Sequence, residues 1–382
     1  MTGPRGYRIH VGTAGIKDDT RDLLIVETTP AAVAGVFTRS RFAGPSIGLS
    51  RATVAGGRSR GLVVVSKNAN VANGPAGVAD AEELQALAAG VIGAEAGSVV
   101  VASTGVIGRR YPMERVRAYF SPLRWPAVAD GGFDDAAQAI MTTDTHPKIA
   151  TATVGGSTLV GIAKGVGMIE PDMATLLTFF FTDAVIDPAA LDAMLRRVVA
   201  TTFNALSIDT DTSTSDSAVI WANGLAGTVD LDAFEAAFGG VALALVKMIA
   251  ADGEGASKLI EVRVTGARDT ASAKLVAKAI VNSPLVKTAV HGADPNWGRL
   301  AMAVGKCSDE TDIDPDGVVL SIGGIELYPS PADETTLALA AEHMAGDEVV
   351  LGAELGVGDG AFTAWGCDLT EGYIRINADY TT

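Results

Sequence analysis

The chain reads as an α+β protein whose mixed sheets are covered by helices, and three observations predict this. Short Val- and Ile-rich runs bounded by Gly, Asn or Asp recur through the first half. Helical periods fall between them, yet the two do not alternate as strict βαβ units. From residue 300 onward the chain is mostly strand-like, and no repeat, low-complexity tract or Pro/Ser-rich linker divides it.

Taken in order, residues 23–28, 33–38, 62–66 and 99–103 are strand-like runs. Residues 79–92 and 133–141 have helical periodicity. The second of these opens after Gly131-Gly132 and carries Asp134 and Asp135 in its first turn, where acidic groups complement the helix dipole. Residues 151–162 alternate around Gly155-Gly156, which predicts a hairpin. Residues 175–185 form a central apolar strand. Asp187 and Pro188 then supply a cap and a first-turn proline for a helix over 188–206. Beyond it come a strand at 217–222, the longest amphipathic helix at 231–250, a strand at 260–265 and a helix at 270–281. One helix, 334–344, interrupts the strand-rich end.

With 48% hydrophobic and 19% charged residues among 382, the chain can bury a large core. Its length suits two or three domains or one large sheet-rich unit. Uninterrupted apolar runs fall short of the ~18 residues of a membrane span, so no membrane partner is expected. No basic segment followed by an apolar one opens the chain, so no secretory signal is expected. Cys307 and Cys367 are too few for a disulfide framework and suit a reducing cytoplasm as small buried apolar residues. His10, His146, His291 and His343 lie far apart without ligand spacing, and no metal is expected.

A net charge of −16 argues against nucleic acid, whose phosphates need a basic stripe. The charge is unevenly spread. Residues 1–174 hold 17 Lys+Arg against 15 Asp+Glu, giving +2, and the remainder holds 12 against 30, giving −18. Acidic surplus ordinarily serves solubility. Such a division would also favour two fragments staying together after a cut at Ala174.

Several motif matches fail on context. Gly57-Arg58-Ser59-Arg60-Gly61 fits the nucleophile-elbow pattern but precedes a strand instead of joining strand to helix. Asp209-Thr210-Asp211 resembles the start of a calcium loop, yet Thr214 and Ile220 stand where Gly and Glu are required. It reads instead as an Asp/Thr-rich turn bonding its own backbone. Gly165-Val166-Gly167 lacks the third glycine and following helix of a dinucleotide site.

The segment that survives runs from Lys164 to Leu177. It is a Gly- and Pro-punctuated loop leading through Met173-Ala174-Thr175 into the apolar run. A Thr at the head of a buried strand is ordinarily a structural residue. It also has a chemical use: if the preceding peptide is cut, the new α-amine, of pKa near ~8, can act as base for the Thr hydroxyl. Ala174 is small enough to let that hydroxyl approach its own preceding carbonyl.

The stretch Lys164-Gly165-x-Gly167-Met168-Ile169-x-Pro171-x-Met173-Ala174-Thr175 resembles the self-cleavage signature of the ornithine acetyltransferase family. Further matches follow in family order. They are Ala102-Ser103-Thr104-Gly105-Val106-Ile107-Gly108, Met141-Thr142-Thr143-Asp144-Thr145, Asp211-Thr212-Ser213-Thr214 and Asp252-Gly253-Glu254-Gly255. Two more are His291-Gly292-Ala293-Asp294-Pro295-Asn296-Trp297-Gly298-Arg299 and the end from Asn377 to Thr382. The resemblance therefore covers nearly the whole chain.

It implies an N-terminal-nucleophile fold, a helix–sheet–sheet–helix sandwich. It also implies self-cleavage at Ala174–Thr175 into fragments 1–174 and 175–382, which form one catalytic unit and associate as paired heterodimers. The implied activity is ping-pong transfer of acetyl from N-acetylornithine to glutamate, without metal or organic cofactor. By the same resemblance Thr175 is nucleophile and base, Thr104 and Gly105 form the oxyanion hole, and Thr142, Lys164, Glu254, Asn377 and Thr382 bind substrate. A hydrolase of the same architecture and an uncut binding protein are the rival readings.

The chain departs from the common pattern at Val166, Asp172, Thr210 and Ser215, and in Asn70-Val71-Ala72-Asn73-Gly74. These departures resemble the paralogues of clavulanate-type β-lactam pathways, which implies N-acetylornithine and glutamate rather than acetyl-CoA as substrates.

Overall fold

The structure is a computed structural model that describes residues 3–170, 176–310 and 312–379. In chain order the first strands and helices are β1 (Tyr7–Gly12), β2 (Leu23–Phe37), α1 (Pro45–Ala55), β3 (Arg58–Val65), α2 (Gly74–Ile92), β4 (Val99–Ser103), α3 (Met113–Phe120) and α4 (Phe133–Ala139). The hairpin β5 (Lys148–Val154) and β6 (Ser157–Lys164) follows, then β7 (Leu177–Val185), α5 (Pro188–Thr201), β8 (Ser217–Thr228) and α6 (Leu231–Ala251). The remainder comprises β9 (Leu259–Ala267), α7 (Thr270–Val281), α8 (Pro284–His291), α9 (Trp297–Gly305), β10 (Val319–Ile322), β11 (Ile325–Tyr328), α10 (Glu334–Met344), β12 (Glu348–Glu354), β13 (Gly360–Cys367) and α11 (Glu371–Asp379).

Two sheets result, as the α+β reading requires. The larger runs β4-β3-β2-β8-β7-β6-β5, with β1 paired to β2, and the smaller runs β11-β10-β12-β9-β13. In the larger sheet β7 lies between β6, to which it is antiparallel, and β8, to which it is parallel. Leu177 is level with Lys164 on one side and Ser217 on the other.

Alternation along β7 explains why its centre, residues 179–181, is apolar on both faces. Phe180 faces the cluster built with α5 and α6, at 4.7 Å between ring centroids from Phe238. Phe179 and Phe181 face the opposite cluster with α4, where Phe181 stacks on Trp221 at 5.2 Å. A strand buried on both faces loses the polar half of its period-two pattern. A second helix pair, α2 and α3, covers the β3–β4 edge.

By length and composition α6 could cross a membrane. Here its stripe of Phe234, Phe238, Leu245 and Ile249 is packed in the cluster that also takes Trp365 and Cys367 of β13. It is a core helix touching both sheets. The smaller sheet is covered by α7, α8, α9 and α10.

Several predicted bounds shift for identifiable reasons. The strands at 23–28 and 33–38 are one strand, β2, because Pro30 falls at a register shift between Glu27 and Ala31 where no ladder donor is needed. The helix predicted to 206 stops at Thr201, and a 3₁₀ turn, Phe203–Ala205, follows it. The onset of the central strand at Thr175 lies outside the described residues. Leu176 already accepts a hydrogen bond on its carbonyl from Ser217 N, at 2.8 Å.

Candidate active site

The chain end of β4 makes one wall of the site. Thr104, buried, donates its N–H to Val65 O at 3.0 Å, and Val106 N donates to Lys67 O at 3.3 Å. The turn after β4 is thus interlocked with the turn after β3. Gly105 has φ +126°, and a Cβ there would meet the Lys67 carbonyl carbon at 2.2 Å, so only glycine fits. The departing segment from Asn70 to Gly74 lies behind this turn. Val71 O accepts from Gly108 N, and Asn70 is buried with its amide on Gly77 O.

A second wall follows α4. Asp144 accepts the Thr142 N–H at 3.0 Å and the Gly165 N–H at 2.8 Å, fixing Thr142 beside the end of β6. There Lys164 Nζ lies 3.5 Å from Thr142 Oγ1. Burial pushes the Lys164 ammonium down in pKa, and the charges of Asp144, Asp216 and Glu254 oppose that shift. Asp216, buried at the head of β8, is pushed well up by desolvation.

The third wall comes from the far half of the chain. Glu254 follows α6, and its N–H donates to Val166 O at 2.7 Å. Its carboxylate accepts from Thr143 Oγ1 at 3.1 Å and from Asn377 Nδ2 at 3.0 Å. Val166 therefore acts through its backbone while its side chain is buried, which is how the departure from Ser is accommodated. The loop from Gly165 to Glu170 is tied to the following loop by Asp209, which accepts from Met168 N and Ile169 N, each at 2.7 Å. Thr210, where the family pattern has Gly, is held at φ +69°. Ser215, where it has Asn, is buried and contacts Thr214 Oγ1 through its hydroxyl at 3.4 Å.

Thr104, Gly105, Thr142, Lys164, Glu254 and Asn377 line one cavity of about 240 Å³. Six residues assigned from the sequence, spread from 104 to 377, meet there. Thr175, Ala174 and Thr382 lie outside the described residues, as does Asp172. Sequence reasoning missed Thr143, Asp209, Asp211 and Tyr373 as lining residues. Thr143 and Asp211 stood inside quoted motifs. Tyr373 had a quieter signal, one helical turn before Asn377 on α11. Burial and the neighbouring carboxylates of Asp209, Glu254 and Asp211 push the Tyr373 phenol up to about 12, so it stays protonated.

A larger cavity of about 610 Å³ between α1 and α5 contains none of these residues. No group of three or more His, Cys, Asp or Glu side chains suited to a metal occurs among the described residues.

Across the small cavity the Lys164 ammonium, several hydroxyls and the Asn377 amide face the carboxylates of Asp209, Asp211 and Glu254. That arrangement defines a small polar cavity with charges of both signs, bordered by the tight turn at Gly105. The ArgJ family profile matches residues 8–382, and the chain belongs to that family.

The chain is 61% identical over 386 aligned residues to glutamate N-acetyltransferase Oat2 of Streptomyces clavuligerus, covering 99% of this chain and 98% of the relative. It is 53% identical to arginine biosynthesis bifunctional protein ArgJ 2 of Nostoc sp., covering 99% and 98%. To arginine biosynthesis bifunctional protein ArgJ 2 of Streptomyces clavuligerus it is 44% identical, again covering 99% and 98%. The family match bears out the resemblance drawn from the motifs.

Proposed function

We propose that this protein is a glutamate N-acetyltransferase that moves acetyl from N-acetyl-L-ornithine to L-glutamate after cutting itself at Ala174–Thr175. The convergence of Thr104, Gly105, Thr142, Lys164, Glu254 and Asn377 on one cavity carries this reading. The names and near-complete coverage of the relatives support it.

In the first half-reaction the Thr175 hydroxyl adds to the acetyl carbonyl of the donor, and its proton passes to the freed α-amine. The Thr104 hydroxyl and Gly105 N–H stabilise the oxyanion, a single such donor being worth ~10²–10³ in rate. The amide C–N bond breaks, ornithine leaves with the proton, and an acetyl ester remains on Thr175. The glutamate amine then attacks that ester, giving N-acetylglutamate and restoring the hydroxyl. Lys164 pairs with the α-carboxylate shared by both amino acids, and Glu254 faces the ornithine δ-ammonium. Thr142, Asn377 and Thr382 complete the substrate contacts. No cofactor enters the scheme.

The sheet order supports fragments that stay together. β7 and β8, after residue 175, lie between β6 and β2, before it. Paired heterodimers and a cytoplasmic location belong to the same reading. The 61% identity to Oat2 of Streptomyces clavuligerus fits the clavulanate-type grouping suggested by the motif departures.

The test is intact mass of the denatured protein, then assay of the product. Two species sharing the 39.0 kDa between residues 1–174 and 175–382, with glutamate-dependent release of ornithine, are expected. Acetate release without glutamate would make it a hydrolase, and a single uncut inactive chain would overturn the enzymatic reading.

A further inference from the structure

Lys148, the first residue of β5, has no exposed side-chain surface. Its Nζ donates to Asp144 Oδ1 at 2.7 Å and to Asp252 Oδ2 at 2.6 Å. Each carboxylate reaches further. Asp144 accepts from Thr142 N at 3.0 Å and Gly165 N at 2.8 Å, next to Lys164. Asp252 stands two residues before Glu254, and it accepts from Thr145 N at 3.1 Å and from the Thr145 hydroxyl. One ammonium thus joins the three segments that carry Thr142, Lys164 and Glu254.

A buried ion cluster is weak evidence for stability, because removing each charge from water costs several kcal/mol and attraction does little more than offset it. Its directional bonds, in contrast, fix geometry closely when every partner is satisfied. Other charged groups nearby are His146, 3.5 Å from Asp252, and Lys164, whose charge acts on Asp144. Lys148 touches both carboxylates at once from inside the fold. It also bridges the proposed cut, since Asp144 and Lys148 precede residue 174 and Asp252 follows it.

We infer that Lys148 is a positioning residue. Through Asp144 and Asp252 its ammonium sets the mutual placement of Thr142, Lys164 and Glu254 and so governs affinity for the amino-acid substrate. The inference rests on the substrate-binding roles proposed above.

The test is calorimetric titration of L-ornithine into the purified parent protein, Lys148→Met and Asp252→Asn, with thermal unfolding of each. A hydrogen bond to a charged substrate group lost through misplacement costs roughly ten- to a hundredfold in affinity. Ornithine affinity is accordingly expected to fall about ten- to a hundredfold in both variants, by more than any change in Tm accounts for. Should Lys148→Met not fold, Asp252→Asn decides, since it replaces one oxygen by nitrogen. Unchanged affinity with a lowered Tm would make the cluster a stabilising element only and overturn the inference. No ornithine binding by the parent would overturn the substrate reading itself, a separate result.

Discussion

Gly167 and Glu254 approach so closely that a Cβ built on the glycine would lie 2.4 Å from Glu254 Oε2. The carboxylate that joins Thr143 to Asn377 is thus seated against bare backbone. Gly167→Ala is expected to push it off those partners while the fold survives, because the obstructing atoms are the free end of a side chain. Ornithine affinity should drop about tenfold or more with little change in Tm, titration and thermal unfolding being the checks.

Gly105 meets backbone instead of a movable side chain, so Gly105→Ala has no comparable relief. The turn must shift, and a φ of +126°, which glycine tolerates and alanine does not, adds ~1–3 kcal/mol. Loss of the proposed oxyanion donor predicts a kcat lower by ~10²–10³ in glutamate-dependent ornithine release, with KM changed less.

Glu254→Gln keeps the size of the side chain and removes its charge. If the carboxylate faces the ornithine δ-ammonium, turnover with N-acetylornithine should suffer most, while self-cleavage and the glutamate half-reaction persist. Rapid-quench measurement of the two half-reactions separates them, and an equal loss in both would sink the assignment. Thr175→Ala, by contrast, should yield one intact and inactive chain by mass.

Lys67 gives a pH signature. It adopts φ +76° and donates to Met141 O, between the turn after β3 and the Thr142 segment. Burial pulls its pKa from 10.5 down to about 8, helped by Lys164 and Lys17 and opposed by Asp144 and Asp22. Between about pH 8 and 10.5 the unfolded chain keeps a proton that the folded chain has released, so stability rises with pH across that window. Lys67→Met lacks this gain. Comparing Tm of parent and variant from about pH 7 to pH 10 should show the difference moving in favour of the parent as pH rises.

Strong local signals were legible. β4, α7 and α10 have their predicted bounds, and Asp187 caps α5 through the Ala189 and Ala190 N–H groups. What was missed lacked such signals. The α1 segment mixes Gly, Ser, Thr and Val, poor helix formers whose helix is set by packing Ile47 against the sheet. The apolar end of α9 reads equally as strand, and a short run cannot be assigned by period alone. The site residues were legible only as motifs. That Lys148 ties three of those motifs together was not, because its partners sit 4 and 104 residues away and only the fold makes them neighbours.

The interleaving of β7 and β8 between β6 and β2 bears on how this protein can be made. Residues 1–174 produced alone would carry two long apolar strands, β2 and β6, each with one row of N–H and C=O groups left open. Unprotected edges of that kind recruit any extended chain they meet. Co-expressing two ready-made halves is therefore a poor substitute for the single continuous chain, in which β7 and β8 fill those edges as it folds.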